Sequence, residues 1–232
     1  MFPVPNLDGR KARGAFFTPP EIANFLPSWA IRTRDDRVLE PSCGEAAFLL
    51  SAGSRLRDLG YSGNLRNRLH GFDIHIQSIR EAQGLLSSEG MQATLTAGDF
   101  FVQEPDAAFD AVTGNPPYVR YQNFNGAGRL LAVNAASRQG VKLNHLASSW
   151  AAFTVHASAF LKPEGRLALV LPAELLSVKY ASRIRRFLLE RFATVRLLLF
   201  ENLVFPGVLE EVVLLLAEGS GGAGRFEVFQ AR

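Results

Sequence analysis

The sequence predicts an α/β fold: a mostly parallel sheet of seven strands with helices on both faces. Seven short apolar segments have the length and composition of strands, and segments of helical periodicity separate most of them. Parallel strands need such crossover helices, and a sheet covered on both faces has continuously apolar strands. The last two strand segments have no helix between them, so we expect a terminal antiparallel strand.

Composition limits the possible class of protein. The 232 residues, 47% of them hydrophobic, can bury one complete α/β core. No apolar run approaches the roughly 18 residues that span a bilayer, so we expect no membrane association. The single cysteine, Cys43, rules out an internal disulfide and favours the cytoplasm. Residues 117–232 carry 14 basic against 8 acidic side chains, which fits nucleic-acid binding and equally an ordinary solvated surface.

The first predicted helix follows an N-terminal arm of residues 1–14. Thr18 is the expected N-cap, Pro19 and Pro20 fit the first turn, and Glu21 completes a capping box. The helix then presents one apolar face, formed by Ile22, Phe25, Leu26 and Trp29.

A strand, a turn and a helix come next. Arg37–Glu40 is a short strand, Pro41–Glu45 forms the turn, and a helix runs from about Ala46 to Leu59. This order is typical of the first unit of a nucleotide-binding α/β domain. Because Gly44 is the only glycine of the expected fingerprint, the spacing alone is a weak indication of a cofactor site.

The next two strands end near acidic residues. His70–Ile74 contains Asp73, which can accept hydrogen bonds from a ribose or cap the following helix. The third strand, Ala93–Thr96, leads to Asp99 and Phe100, which can hydrogen-bond and pack against an adenine ring. In an open α/β sheet, ligands bind at the carboxyl ends of the strands. These side chains therefore predict a nucleotide-like ligand there.

The fourth strand, Phe109–Gly114, ends at Asn115-Pro116-Pro117-Tyr118. Two consecutive prolines cannot continue a sheet ladder, because each lacks an N–H donor and has a fixed φ. The strand therefore stops at a rigid corner. This corner presents an amide side chain, an aromatic ring and backbone carbonyls at the ligand-binding edge.

Residues 119–144 form a long polar connection that contains no acidic residue. We predict that this connection is irregular. Its basic side chains suit contacts with phosphate groups: Arg120, Arg129, Arg138 and Lys142.

The remaining predicted elements are the helix Leu146–Leu161, the turn Lys162–Gly165, the strand Arg166–Leu171, the helix Val178–Phe192, and the strands Thr194–Phe200 and Glu211–Ala217. Gly219–Gly224 has the composition of a flexible linker.

Taken in order, these segments resemble the gamma class of DNA adenine-N6 methyltransferases of restriction–modification systems. The resemblance extends from Gly14 to Glu218 and depends on Phe17-Thr18-Pro19-Pro20, Val38–Gly44 with Phe48-Leu49, Asp73, Asp99-Phe100, Asn115–Tyr118, Lys162–Gly165 and Phe205-Pro206. It implies the Rossmann-like fold of class I methyltransferases, with residues 15–218 as the catalytic domain. One departure is Ala46, which stands where the class often has glycine.

The resemblance implies S-adenosylmethionine as the cofactor and the exocyclic N6 of an adenine, flipped out of double-stranded DNA, as the methyl acceptor. The expected cofactor-binding residues are Thr18, Glu40, Ser42, Gly44, Asp73, Ile74, Asp99, Phe100, Asn115, Pro117 and Phe153. The expected catalytic residues are Asn115, Pro116, Pro117 and Tyr118, and Tyr118 and Phe205 are expected to stack on the base. For each of these aromatic residues, Tyr118, Phe100, Phe153 and Phe205, plain core packing is the alternative.

The resemblance also has implications for the location of the protein and for its partner proteins. The resemblance implies a prokaryotic cytoplasmic enzyme with a fused or separate target-recognition domain and a restriction endonuclease. Residues 219–232 would be the linker and the start of that further region. The alternatives are a methyltransferase acting on RNA or protein glutamine, and a noncatalytic subunit that binds cofactor or DNA. The four histidines lack metal-ligand spacing, so we expect no metal.

Overall fold

The computed structural model describes residues 18–201 and 211–231. Its helices are α1 Pro20–Ala30, α2 Ala47–Asp58, α3 Ile76–Ser88, α4 Gly126–Arg138, α5 Ser149–Ser158, α6 Glu174–Ser177 and α7 Ser182–Arg191. Its strands are β1 Val38–Glu40, β2 Leu69–Asp73, β3 Thr94–Ala97, β4 Phe109–Gly114, β5 Leu161–Pro172, β6 Thr194–Phe200, β7 Val212–Glu218 and β8 Phe226–Ala231. No helix in these two stretches is long and apolar enough to cross a membrane.

All eight strands form one sheet in the order β3-β2-β1-β4-β5-β7-β6-β8. Strand β7 is antiparallel to both of its neighbours, and every other pairing is parallel. The predicted α/β class, mostly parallel sheet and late antiparallel strand are therefore confirmed. The chain order reverses at β1, where β2 lies on one side and β4 on the other, which is where open α/β sheets bind ligands.

Helices cover both faces of the sheet, as predicted. Along β5, Leu167, Leu169 and Leu171 join the core beneath α4, α5 and α7, whereas Ala168 and Val170 join the core beneath α1, α2 and α3. This alternation is the period of two that a strand imposes on its side chains. The central strands are buried on both sides and hold the loops at their carboxyl ends in fixed positions.

The connection predicted to be irregular contains a helix. Helix α4 covers thirteen residues of it, and its buried side chains are Ala132, Ala135 and Ala136. Their spacing of three and four residues is helical. The prediction was wrong because alanine gives little contrast in hydropathy between the two faces, although alanine has the highest intrinsic helix propensity.

Strand β5 starts earlier than predicted and includes the segment Lys162–Gly165. Leu161 pairs with Phe109 and Arg166 pairs with Ala111, so β5 has extra residues at this point and its register shifts. The predicted turn is therefore an irregularity inside a strand. Helix α5 is correspondingly shorter than predicted.

The sheet has one strand more than the seven predicted. After the glycine-rich segment, β8 pairs in parallel with β6, and Glu227 accepts a 2.9 Å bond from the Arg196 guanidinium. Gly219, Gly221 and Gly222 have positive φ, which lets the chain turn back to the sheet edge within a few residues. The segment predicted to be a linker thus returns to the same domain, and a further region after it stays a prediction.

Candidate active site

The carboxyl ends of β1, β2 and β4 and the loop after β3 surround one cavity of about 580 Å³. This volume is in the usual range for a cofactor or drug-sized ligand. All eleven residues predicted to bind the cofactor line the cavity: Thr18, Glu40, Ser42, Gly44, Asp73, Ile74, Asp99, Phe100, Asn115, Pro117 and Phe153. The sequence therefore identified the residues that meet here, while their individual roles stay predictions.

The cavity is acidic. Its lining contains five carboxyl side chains and, among the described residues, no lysine or arginine; the five are Glu40, Glu45, Asp73, Glu81 and Asp99. Carboxylates that line a cleft with low-dielectric walls create a negative potential inside it. The cavity therefore favours a ligand that carries positive charge.

Glu40, the last residue of β1, is almost fully buried at 2% exposure. Its Oε2 accepts the backbone N–H of Leu49, 3.2 Å away, in the first turn of α2, where an N–H has no partner within the helix. Burial raises the pKa of Glu40 well above its usual value; the Leu49 bond lowers it in part, and the charge of Asp73 raises it further. A cation in the cavity would offset this cost of burying the charge.

The turn between β1 and α2 is tied to β2. The Cys43 N–H donates to the Phe72 carbonyl at 2.7 Å, and the Gly44 N–H donates to Asp73 Oδ2 at 3.0 Å. Gly44 and Ala46 have φ values of +47° and +64°, in the left-handed region. An L-residue with a side chain costs about 1–2 kcal/mol there, which explains why a glycine suits the position of Ala46.

Cys43 is not a nucleophile in this arrangement. Burial raises the pKa of its thiol, and the nearby charges of Glu40 and Asp73 raise it further. The thiolate is the reactive form, so a thiol that holds its proton is inert. Cys43 serves as a small buried side chain in a tight turn.

Asp73 holds the loop that follows β2. Its Oδ1 accepts the His75 N–H at 2.8 Å, two residues later. It does not cap α3, because the N-cap of that helix is His75, without a side-chain bond. The helix-cap alternative is therefore wrong. The carboxylate lines the cavity and is oriented by two backbone N–H groups.

An aromatic wall closes the cavity behind Asp99, whose Oδ1 accepts the Phe101 N–H at 2.9 Å. Phe100 stacks on Phe153, with ring centroids 6.0 Å apart and planes at 10°. The two rings are 3% and 9% exposed and belong to the core as well as to the cavity lining. Core packing and ligand contact are thus not exclusive alternatives for these residues.

The corner after β4 fixes the Asn115 side chain at both ends. Its Oδ1 accepts the Tyr118 hydroxyl at 2.7 Å, and its Nδ2 donates to Thr18 Oγ1 at 3.3 Å. Thr18 is therefore not the N-cap of α1, as the sequence suggested; the N-cap is Pro19, without a side-chain bond. Asn115 and Pro117 line the cavity, whereas Pro116 is buried and Tyr118 is half-buried beside it.

Sequence analysis missed Ser149, which also lines the cavity. Its Oγ accepts the Val119 N–H at 2.8 Å and donates to the Pro117 carbonyl, and its own N–H donates to the Val119 carbonyl at 3.0 Å. In the sequence, the pair Ser148-Ser149 before a helix suggests only a helix cap. The contacts of Ser149 with residues about 30 positions away leave no local sequence signal.

Two of the candidate arginines, Arg129 and Arg138, do not line the cavity. The Arg129 guanidinium donates to the carbonyls of Phe124, Asn144 and Ala147, and Arg138 pairs with Glu104 at 2.6 Å. Arg129 therefore holds the loops on either side of α4 together, and the expected phosphate contacts of both arginines stay predictions. Phe205, the second aromatic expected to stack on the base, lies outside the described residues. Residues 18–201 and 211–231 contain no group of His, Cys, Asp and Glu that could hold a metal.

The chain is similar to a family of known proteins. A family model described as N-6 DNA Methylase matches residues 7–221. Among curated proteins, the type II methyltransferase M.HincII of Haemophilus influenzae is 28% identical over 202 residues, covering 87% of this chain and 36% of that protein. The chain thus spans about a third of the length of that relative.

Solved structures show the same fold. A Listeria monocytogenes protein described as a class I S-adenosylmethionine-dependent methyltransferase superposes with a TM-score of 0.72 at 16% identity, covering 92% of this chain and 65% of that chain. The M protein of the type I restriction enzyme EcoKI gives a TM-score of 0.69 at 18% identity, covering 94% of this chain and 48% of that chain.

Proposed function

Because the chain belongs to the N-6 DNA methylase family, we propose that it transfers a methyl group from S-adenosylmethionine to the N6 amine of a flipped-out adenine in DNA. The observation that carries this proposal is the position of Asn115. Its amide lies at the carboxyl end of β4, on the wall of an acidic cavity, and is held in place at both ends. The named relatives favour a role in restriction–modification.

The residues of the cavity fit S-adenosylmethionine. The cofactor carries a sulfonium and an ammonium against a single carboxylate, and the lining has five carboxyl groups and, in the part of the chain that the structure describes, no lysine or arginine. Glu40 and Thr18 would hold the methionine end, Asp73 the ribose hydroxyls, and Asp99 with Phe100 the adenine. When bound, S-adenosylmethionine supplies an electrophilic methyl group.

Asn115 and Pro116 would activate the acceptor. The lone pair of an adenine N6 amine is delocalised into the ring, so the amine is a poor nucleophile. If Asn115 Oδ1 and the Pro116 carbonyl each accept one N6 hydrogen, the lone pair is freed toward the methyl group. Fixed acceptors cost no reorganisation during the reaction, and Pro116 and Pro117 keep them fixed. These amide oxygens are weak bases, so the proton that N6 releases would pass to water.

The Tyr118 hydroxyl is compatible with this role of Asn115. An amide oxygen has two lone pairs, so Asn115 Oδ1 can accept the Tyr118 hydroxyl and an N6 hydrogen together. The Tyr118 ring would stack on the adenine, with Phe205 as the expected second aromatic. A stacked base gains about 1–3 kcal/mol. This gain is comparable to the few kcal/mol that it costs to flip a base out of the duplex.

We further propose that the domain predicted for residues 15–218, which β8 extends to Ala231, is the catalytic domain of a longer protein or complex. Nothing in the cavity distinguishes one DNA sequence from another, so the choice of site would come from a target-recognition region, fused or separate. A restriction endonuclease would be the partner activity. The RNA, glutamine and noncatalytic alternatives stay open to experiment.

The test is a methyl-transfer assay of the chain together with its target-recognition region, using S-adenosylmethionine that carries a labelled methyl group. Unmethylated DNA, structured RNA and a protein extract are offered in parallel. We expect label in DNA alone. Label only in RNA or protein would replace the DNA proposal, and cofactor binding without transfer to any substrate would favour a noncatalytic subunit.

A further inference from the structure

We propose that Ser149 is a positioning residue. It would hold the Tyr118 ring in the position from which the ring can stack on the target base. The inference builds on the proposed function and adds a residue to which neither the sequence motifs nor the family match assigns a role. Ser149 would act on the base through Tyr118.

The contacts of Ser149 enclose Tyr118 from both sides. The Oγ donates to the carbonyl of Pro117, the residue before Tyr118, and accepts the N–H of Val119, the residue after it. The backbone N–H of Ser149 donates to the Val119 carbonyl at 3.0 Å. The peptide groups on both sides of Tyr118 are therefore tied to one residue, which leaves the Tyr118 backbone little freedom to shift.

The serine hydroxyl is well placed for this task because it both donates and accepts a hydrogen bond. Ser149 is 2% exposed, so water does not readily replace it. Substitution by alanine would leave the Val119 N–H and the Pro117 carbonyl without their partner. We expect the loop to relax and the Tyr118 ring to move, while the fold stays intact, because the Val119 carbonyl keeps its bond to the Ser149 N–H.

The same helix also carries a wall of the cofactor cavity. Ser149 and Phe153 are four residues apart in α5 and therefore lie on one face of the helix. Both line the cavity, and Phe153 stacks on Phe100. Helix α5 thus links the expected cofactor-adenine site to the corner that receives the base, with Ser149 on the base side and Phe153 on the cofactor side.

The experiment compares Ser149→Ala with Ser158→Ala, a matched control at the other end of α5. The buried Ser158 hydroxyl donates to the Thr154 carbonyl within the same helix. We expect Ser149→Ala to lower kcat/KM for DNA by about 10- to 100-fold, the scale of a small misplacement, with a cofactor Kd within about twofold of the parent. Ser158→Ala should keep parental activity.

A double-mutant cycle separates positioning from a general structural effect. If Ser149 acts through Tyr118, then Ser149→Ala should have no further effect once Tyr118→Ala is present. Multiplying effects would overturn the proposal, and so would parental activity of Ser149→Ala. If the parent itself fails to methylate DNA, the proposed function fails instead, and the next measurement tests the position of Tyr118 without activity.

That measurement is ¹⁹F NMR of protein containing fluorotyrosine. The chain has four tyrosines, and the signal of Tyr118 is identified by its loss in Tyr118→Phe. We expect Ser149→Ala to shift or broaden this signal and to leave the other three in place. An unchanged Tyr118 signal would show that Ser149 does not hold the ring.

Discussion

Two side chains define the chemistry of the cavity at the residue scale. Asn115 presents a neutral acceptor whose orientation is fixed by Thr18 and Tyr118, whereas Glu40 is an acid buried in an acidic surrounding. The neutral Asn115 amide suits an uncharged amine, and the Glu40 carboxyl suits a cation. Substitutions at these positions should therefore separate catalysis from cofactor binding.

Asn115→Ala should reduce methyl transfer by about 100- to 1,000-fold, the usual cost of losing one preorganised hydrogen-bonding group. The cofactor Kd should change far less than the transfer rate, because the substitution chiefly removes an acceptor for the base, although Asn115 also lines the cavity. Single-turnover transfer and equilibrium cofactor binding check this. Asn24→Ala is a matched control, since Asn24 bonds to Ser51 on the surface. Weaker cofactor binding with normal turnover at saturation would contradict the assignment.

Glu40→Gln should change the pH dependence of stability. Because burial raises the pKa of Glu40, its contribution to stability is full below the unfolded pKa of about 4.3 and is lost as the pH rises through the folded pKa. Glutamine does not ionise, so the variant does not lose this stability as the pH rises. The free energy of unfolding of the variant, relative to the parent, should therefore increase as the pH rises above the unfolded pKa.

Urea titrations of both proteins without cofactor, at several pH values, provide the measurement. A stability difference that does not vary with pH would contradict the raised pKa. The same variant should bind S-adenosylmethionine more weakly at every pH where the parent Glu40 is ionised, because the glutamine lacks the negative charge that faces the cation.

At the scale of elements, a buried ion pair secures the short strand β1. Asp36, in the turn between α1 and β1, lies 2.8 Å from Arg166 of β5, and both side chains are less than one-tenth exposed. Burial alone would raise the pKa of Asp36. The bonds from the Thr33 hydroxyl and the Arg32 N–H, together with the charge of Arg166, outweigh burial and lower it.

Asp36→Asn should destabilise the protein by about 3–5 kcal/mol, because it leaves the Arg166 charge buried without its partner. Chemical denaturation at neutral pH measures this. The adjacent Asp35→Asn is the control: Asp35 pairs with Arg68 at the surface, so its loss should cost no more than about 1 kcal/mol. Equal effects of the two substitutions would show that burial of the pair is unimportant.

The elements also show what the sequence can and cannot reveal. Strands such as Phe109–Gly114 and the polar residues after them are local signals, and the α/β topology brings their carboxyl ends together. It was therefore predictable that these residues line one cavity, and their roles stay predictions. Helix α4 was missed because alanines give little hydropathic contrast, and Ser149 because its partners lie about thirty residues away.

At the scale of the whole molecule, the two halves of the sheet have different tasks. Strands β1 to β4 and their loops form the cavity, whereas β5 to β8 extend the sheet away from it. Strand β8 covers the edge of β6, and Val228 and Phe229 on it are 56% and 51% exposed. Among the residues that the structure describes, none in β5 to β8 lines the cavity, so these strands serve to complete the domain.

Removal of residues 219–232 should lower the melting temperature and promote self-association, because it exposes the β6 edge and breaks the Arg196–Glu227 pair. Cofactor affinity should stay within about twofold, because β8 does not reach the cavity. Thermal unfolding, light scattering and equilibrium binding measure these effects. An unchanged melting temperature would contradict the role of β8 in the domain.

We propose that the corner at Asn115 directs a methyl group to the N6 of adenine. The most direct measurement is nucleoside mass spectrometry of unmethylated DNA after incubation with S-adenosylmethionine and either the parent or Asn115→Ala. We expect N6-methyladenine as the only new methylated nucleoside with the parent, and at most traces with the variant. A different methylated nucleoside, or equal yields from both proteins, would contradict the claim.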